Sequence, residues 1–88
     1  MIRVIRISAI WCSSCIIMKN RYDEVFKPLG IKVTDYDFDD DLELFEPLKI
    51  GSILPVVILY SGEVEVMRIV GEKSKKELIK LLEGIVRQ

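Results

Sequence analysis

Residues 11–15 read Trp11-Cys12-Ser13-Ser14-Cys15, which places two cysteines three positions apart directly after the only tryptophan of the chain. Before them, residues 2–8 are rich in isoleucine and valine and predict a largely buried strand. After them, Pro28 and Gly30 indicate where a helix ends. Apolar residues recur between these points at helical spacing, at Cys15, Met18, Tyr22, Val25, Phe26 and Leu29. The cysteine pair is therefore predicted to lie where a strand passes into a helix.

The position of the cysteine pair favours redox chemistry. A cysteine at the first turn of a helix faces unpaired backbone N–H groups and the positive end of the helix dipole, and both favour thiolate over thiol. Cys12 is predicted at that position. Cys15 follows one helical turn later on the same side, so the two sulfurs can form and break a disulfide with little movement of the backbone. The pair therefore suits thiol-disulfide exchange in two-electron steps.

The middle of the chain predicts a second strand and a short helix. Ile31 to Phe38 is the predicted strand, and the first helix joins it to the first strand by a parallel, right-handed crossover. Asp39, Asp40 and Asp41 then favour the start of a helix electrostatically, and Pro47 limits that helix to about two turns.

The last third of the chain predicts a hairpin and a closing helix. Ile53 to Tyr60 and Glu63 to Val70 are predicted strands that flank the two-residue connection Ser61-Gly62. Ser74-Lys75-Lys76-Glu77 has capping-box spacing. The apolar face of the last helix is predicted to consist of Leu78, Ile79, Leu81, Leu82, Ile85 and Val86. Residues 1–88 are thus predicted to form one α/β domain with the order β-α-β-α-β-β-α, a four-stranded mixed sheet and helices on both faces.

Length, charge and composition exclude several classes of protein. The 88 residues are too few for two separate cores. With 13 basic and 14 acidic side chains the net charge is -1, so there is no excess of positive charge for binding nucleic acid. The longest apolar run, residues 53–60, is too short to span a membrane, and the N-terminus has no signal-peptide pattern. We therefore expect a cytoplasmic location, where reducing conditions prevail.

A metal site is the main alternative interpretation of Cys12 and Cys15. The chain has no histidine, which excludes Ser/His and Cys/His catalysis as well as histidine metal sites. It also has no third cysteine, whereas a mononuclear zinc site normally has four ligands. Only a dimer that pools the cysteines of both chains could hold zinc or an iron-sulfur cluster. A non-enzymatic dimeric metal-binding module therefore stays open as an alternative.

Three short motifs, in this order, resemble the thioredoxin superfamily, and specifically a small thioredoxin or thioredoxin-like glutaredoxin. Trp11-Cys12-Ser13-Ser14-Cys15 resembles the WCxxC active site of that family. Leu54-Pro55 resembles its apolar residue and cis-proline, and Val70-Gly71 resembles the glycine before its last helix. The resemblance implies the thioredoxin-like fold in its minimal form, without the additional N-terminal strand and helix of a full thioredoxin.

The resemblance also implies an activity, a substrate groove and partners. Cys12 is the expected nucleophile and Cys15 the resolving cysteine of a protein-disulfide reductase that needs no bound cofactor beyond the Cys12-Cys15 disulfide. The expected partners are disulfide-containing proteins and a thioredoxin-reductase-type electron donor, and we expect a monomer. The expected substrate-binding residues are Trp11, Ile53, Leu54, Pro55, Val70 and Gly71. For Pro55 the alternative is that it merely starts a strand.

Ile16, which directly follows the second cysteine, leaves two alternatives open. It stands where thioredoxins commonly have a lysine, so it either extends the apolar groove or packs within the helix.

A glutathione-linked glutaredoxin is the nearest alternative activity. Such proteins typically have Thr-Val before the proline and a Gly-Gly stretch near the last helix. This chain has Ile53-Leu54 and Val70-Gly71-Glu72 there, which favours protein substrates.

Arg6 is the main departure from the thioredoxin pattern. It occupies the position at which thioredoxins have a buried aspartate that helps to move the proton of the second cysteine. Asp37 stands about where the lysine partner of that aspartate is expected. One hypothesis is a charge-swapped pair in which Asp37 transfers the proton and Arg6 favours the thiolates. The alternative is that Arg6 reaches solvent and Asp37 is a solvated surface acid.

Overall fold

A computed structural model describes residues 2–86, with side chains through residue 84. Within that range the strands are β1 (Ile2–Ser8), β2 (Lys32–Asp37), β3 (Val56–Ser61) and β4 (Val64–Val70), and the helices are α1 (Ser13–Phe26), α2 (Leu42–Phe45) and α3 (Lys75–Val86). The strands form one sheet in the order β2-β1-β3-β4. β1 and β2 are parallel, and the other two pairs are antiparallel. The predicted order of elements and the mixed four-stranded sheet are confirmed.

The two faces of the sheet bury separate apolar clusters. The cluster beneath α1 and α3 contains Val4, Met18, Tyr22, Val25, Phe26, Val57, Leu59, Ile69, Leu78 and Leu82. The cluster beneath α2 contains Ile5, Ile7, Ala9, Cys15, Phe45, Leu54, Val56, Ile58 and Tyr60. Because β3 contributes to both clusters, its residues Val56 to Tyr60 are all buried. This explains why its sequence is a continuous apolar run rather than an alternating one.

The first two helices end where proline and glycine predict. α1 continues into a 3₁₀ helix, Lys27–Leu29, which ends at Gly30 with a φ of 67°. That left-handed backbone suits glycine because it has no Cβ. α2 likewise continues into a 3₁₀ helix, Glu46–Leu48, which contains the predicted helix-limiting Pro47.

Two predicted boundaries in the hairpin are wrong. β3 begins at Val56 rather than Ile53, because its partner β4 ends opposite Val56 at Val70 and leaves the preceding residues without a neighbour to pair with. The turn consists of residues 62–63 rather than Ser61-Gly62, since Ser61 already pairs with Val64. A register shift between Leu59 and Tyr60 accompanies this difference, and sequence periodicity does not reveal such a bulge.

The closing helix starts with the predicted cap but buries fewer residues than predicted. The Ser74 hydroxyl oxygen accepts the Glu77 N–H at 3.2 Å. Leu78 and Leu82 are buried, whereas Ile79 and Leu81 are partly exposed to solvent. The side chains of Ile85 and Val86, which are predicted for the same face, are not among those that the structure describes.

Candidate active site

The cysteine pair lies at the start of α1, directly after the end of β1. Cys12 is the N-cap residue, with extended backbone angles (φ -96°, ψ 108°). Its N–H donates to the Ala9 carbonyl at 3.2 Å, which closes the turn between strand and helix. The Cys15 N–H donates to the Cys12 sulfur at 3.2 Å, so Cys12 caps the helix with its side chain. Both cysteines are free thiols.

The two thiols lie in different electrostatic environments. Cys12 is half-buried, and its sulfur accepts an N–H at the positive end of the helix dipole, with no acidic side chain in the first turn. Cys15 is only 5% exposed. Burial, reinforced by its hydrogen bond to Cys12, raises the pKa of Cys15 to about 11. The pair therefore combines an accessible nucleophile with a buried thiol that stays protonated at neutral pH.

The segment around Pro55 approaches Gly71 beside the sulfurs. The Leu54-Pro55 peptide bond is cis. Leu54 is buried in the same apolar cluster as Cys15, and Cys12 packs against that cluster. The Gly71 N–H donates to the Pro55 carbonyl at 2.9 Å. A Cβ at Gly71 would lie 3.5 Å from Ile53 Cγ2, and the φ of 81° there also suits glycine.

Large apolar side chains at this end of the molecule are open to solvent. Trp11 is 61% exposed and Ile53 is 62% exposed, and Val70 is also exposed. Of the two alternatives for Ile16, packing within the helix is wrong, because this side chain is 63% exposed.

An acidic turn holds Trp11 in place. The indole Nε1 donates to Asp39 Oδ2 at 2.7 Å, and the ring meets Phe38 edge-on at 6.1 Å. Asp37 Oδ1 in turn accepts the N–H groups of Asp39 and Asp40. The sequence does not predict the bond to Asp39, because the run of acids indicates only the start of α2 and no spacing rule connects Trp11 to a residue 28 positions away.

Both interpretations of Arg6 are corrected by the structure. Arg6 is 4% exposed, so it does not reach solvent. Its guanidinium donates to both carboxylate oxygens of Asp35, at 2.6 and 3.0 Å, and to Asp23 on α1 at 3.3 Å. The partner is not Asp37, because the parallel register places Arg6 opposite Asp35 and Asp37 opposite Ser8. These hydrogen bonds outweigh the effect of burial and raise the pKa of Arg6 above its ordinary value.

Arg6, Asp37 and Cys15 nevertheless meet around one cavity. Its volume is about 170 Å³, enough for water. The lining residues are Arg6, Ser8, Ala9, Ile10, Cys15, Ile16, Lys19 and Asp37. The buried thiol thus lines the same small cavity as a carboxylate, although that carboxylate does not pair with Arg6.

The described residues give no support for a metal site or for a membrane-spanning helix. Within residues 2–86, no three cysteine, aspartate or glutamate side chains converge as a metal site would require. In the same range, no helix is long and apolar enough to cross a membrane.

Comparison with known proteins identifies the family. The thioredoxin family profile matches residues 2–84. A search of curated proteins found no match. Among solved structures, thioredoxin-2 of a malaria parasite, described as a component of protein secretion machinery, is 26% identical, with a TM-score of 0.84 over 96% of this chain and 82% of that one. Thioredoxin from Trypanosoma brucei brucei is 18% identical, with a TM-score of 0.85 over 100% and 77% of the two chains, and shares the fold. The chain therefore belongs to the thioredoxin family.

Proposed function

We propose that this protein is a thiol-disulfide oxidoreductase that reduces disulfides in other proteins through Cys12 and Cys15. The observation that carries this proposal is the position of Cys12. It caps α1 with its sulfur, accepts the Cys15 N–H at 3.2 Å and remains accessible, while Cys15 is buried one turn away. Membership of the thioredoxin family supports redox chemistry of this general kind.

The reaction proceeds in two exchanges. The Cys12 thiolate attacks one sulfur of the target disulfide, forms a mixed disulfide and releases the other target sulfur as a thiolate, which takes a proton from water. Cys15 then loses its proton and attacks the Cys12 sulfur. The target leaves with both sulfurs reduced, and the protein keeps the two-electron oxidation as a Cys12-Cys15 disulfide. The order of attack follows from access, because only Cys12 is open to a macromolecular substrate.

Asp37 is the proposed acceptor of the Cys15 proton. With a pKa of about 11, Cys15 does not ionise readily at neutral pH, so its attack on the mixed disulfide needs a base. Asp37 and Cys15 line the same cavity of about 170 Å³, in which a water molecule can relay the proton. Arg6 lines this cavity as well, but Asp35 and Asp23 neutralise its charge. We therefore assign Arg6 a positioning role rather than a share in proton transfer.

The substrate groove consists of the apolar side chains and backbone near Cys12. Its proposed members are Trp11, Ile53, Leu54, Pro55, Val70 and Gly71. The backbone before Pro55 is proposed to pair with the disulfide-bearing segment of the target as a short added strand. The hydrogen bond from the Gly71 N–H to the Pro55 carbonyl supports this role because it joins the two backbone segments that are proposed to form the groove.

The proposed cycle needs an external electron source but no bound cofactor. A thioredoxin-reductase-type protein or another dithiol is proposed to reduce the Cys12-Cys15 disulfide. A monomer is sufficient for this chemistry, since all the proposed reacting groups lie on one chain. The proposed location is the cytoplasm.

Trapping the mixed disulfide tests the proposed function. Cys15→Ser should accumulate covalent complexes with target proteins through Cys12, because the resolving thiol is missing. Cys12→Ser is the matched control and should accumulate none. The readout is non-reducing electrophoresis of complexes captured from a lysate, followed by mass spectrometry of the linked cysteines.

Three results would contradict the proposal. Covalent complexes of equal abundance with both variants would contradict the proposed order, in which Cys12 attacks first and Cys15 second. Capture of glutathione alone would indicate the glutaredoxin alternative. Stoichiometric metal, or visible absorption from a cluster, in protein purified without oxygen would favour the dimeric metal-binding alternative.

A further inference from the structure

The segment that carries Pro55 is held in place by few backbone contacts. We call residues 49–55 the proline loop; it connects the 3₁₀ helix Glu46–Leu48 to β3. Among the described residues, no backbone–backbone hydrogen bond joins residues 50–54 to another part of the chain. At the far end of the loop, the Pro55 carbonyl accepts the Gly71 N–H. The near end therefore needs another attachment if the groove is to keep its shape.

Arg68 on β4 supplies that attachment. Its Nη1 donates to the Leu48 carbonyl at 2.8 Å and lies 3.5 Å from the Lys49 carbonyl. The other edge of the guanidinium donates to both carboxylate oxygens of Glu65, at 3.1 and 2.7 Å. This two-point ion pair fixes the plane of the guanidinium, which a single contact would not do. Arg68 therefore presents a rigid donor to the carbonyls at the start of the proline loop.

The backbone at the start of the loop needs such support. Lys49 has a φ of 52° and is the only described non-glycine residue with a positive φ. A residue with a Cβ keeps this left-handed conformation only where its surroundings hold it there. The guanidinium lies beside the carbonyls on both sides of the Leu48-Lys49 junction. Val70, two residues further along β4, and Gly71, which directly follows that strand, are the proposed opposite wall of the groove, so β4 positions both walls.

We propose that Arg68 is a positioning residue for substrate binding: it holds the proline loop at its distance from Val70-Gly71 and does not act on the sulfurs. The inference rests on the proposed function. Its consequence is selective, because a protein substrate needs the loop in place, whereas a small disulfide needs only the Cys12 thiolate. Loss of Arg68 should therefore weaken the binding of protein substrates without changing the intrinsic reactivity of Cys12.

Single-turnover kinetics with Arg68→Met test this assignment. The pre-reduced protein is mixed with insulin, and fluorescence of Trp11 reports oxidation of the adjacent cysteines. Half-saturation should require about three- to tenfold more insulin, as expected for the loss of one charge-assisted hydrogen bond, with the limiting rate unchanged. The rate constant with 5,5′-dithiobis(2-nitrobenzoate), a small aromatic disulfide, should also be unchanged.

Arg3→Met is the matched control. Arg3 also donates to a turn carbonyl, that of Gly62 at 3.2 Å, but it does so at the hairpin turn, away from the proline loop. This variant should leave both substrates unaffected. Arg68→Lys keeps a charge but loses the planar fork, so it should restore only part of the binding. If Arg68→Met folds poorly, Glu65→Gln tests the same attachment, since it leaves Arg68 in place without its ion-pair partner.

The inference is wrong if the insulin half-saturation concentration does not change, or if both substrates slow in parallel. Hydrogen exchange separates this failure from failure of the proposed function. If the unmodified protein reduces neither substrate, the proposed function fails, but exchange of the Lys49 and Gly71 amides, which donate to the Glu46 and Pro55 carbonyls at the two ends of the loop, still decides the role of Arg68. Exchange that is faster in Arg68→Met than in Arg3→Met supports the attachment. Equal exchange in the two variants overturns it.

Discussion

The two sides of the cysteine pair differ in the groups that face the sulfurs. On the side of β1, α1 and β2 lie charged groups around a small cavity, with Arg6 held between two aspartates and Asp37 nearby. On the side of β3 and β4 lie apolar side chains and backbone, with the cis-proline against Gly71. The difference fits the proposed function, in which one side handles protons and the other receives the substrate. A substitution on one side should then impair the proposed role of that side and leave the role of the other side intact.

The largest expected effect on the charged side comes from Asp35→Asn. Arg6 is buried, and this change removes the charge of its bidentate partner while keeping the shape of the side chain. Breaking a buried ion pair costs about 3–5 kcal/mol, and the half-exposed carboxylate of Asp35 reduces this to about 1–3 kcal/mol. Urea unfolding of the reduced variant measures the loss of free energy of unfolding.

Asp37→Asn is the matched control, because it makes the same chemical change two residues further along the strand. It should change the free energy of unfolding less than Asp35→Asn. Instead it should slow the release of target protein from the mixed disulfide by about tenfold or more, in line with the contribution of a general base. If Asp37→Asn leaves that rate unchanged, Asp37 has no part in proton transfer. If the two variants are equally destabilised, the Arg6 cluster does not hold the structure as proposed.

The contrast between these two aspartates also shows what sequence can reveal. The CxxC pair and its place at a helix start could be predicted because spacing along one segment determines both. The sequence indicates that Arg6 needs a carboxylate partner if it is buried, but it leaves open whether Arg6 is buried or reaches solvent. Its partner was misplaced by two residues, because the parallel register of β1 and β2 depends on the packing of the crossover helix. The proline-loop attachment to Arg68 was not visible at all, since backbone carbonyls leave no signature in sequence.

The next largest effect concerns Cys15, which lies between the two sides. Burial raises its pKa from 9.0 to about 11. A thiol is neutral when protonated, so a raised pKa means that the folded state holds this proton more tightly than the unfolded chain does. The reduced protein should therefore have its full stability below pH 9 and lose about 2 kcal/mol as the pH rises from about 9 to about 11.

Urea unfolding of the reduced protein across this pH range measures that loss. Cys15→Ser provides the control, because lysines and tyrosines titrate in the same range in both proteins and their contribution cancels in the difference. The difference between the two curves should appear above pH 9. If the curves run parallel throughout, Cys15 is not as strongly protonated as its burial indicates, and the need for a base in the second exchange disappears.

The smallest expected effect tests whether the division between the two sides is complete. Ile16 lines the charged cavity yet is 63% exposed, so it is available to a substrate from the side assigned to protons. Ile16→Lys should raise the concentration of insulin needed for half-saturation by about three- to fivefold. This change corresponds to the free energy of burying roughly one methylene group. Leu44→Lys on α2 is the control, because Leu44 is 58% exposed without lining that cavity. If only Ile16→Lys weakens binding, the substrate contacts both sides of the cysteine pair. If neither variant does, recognition is confined to the side of β3 and β4.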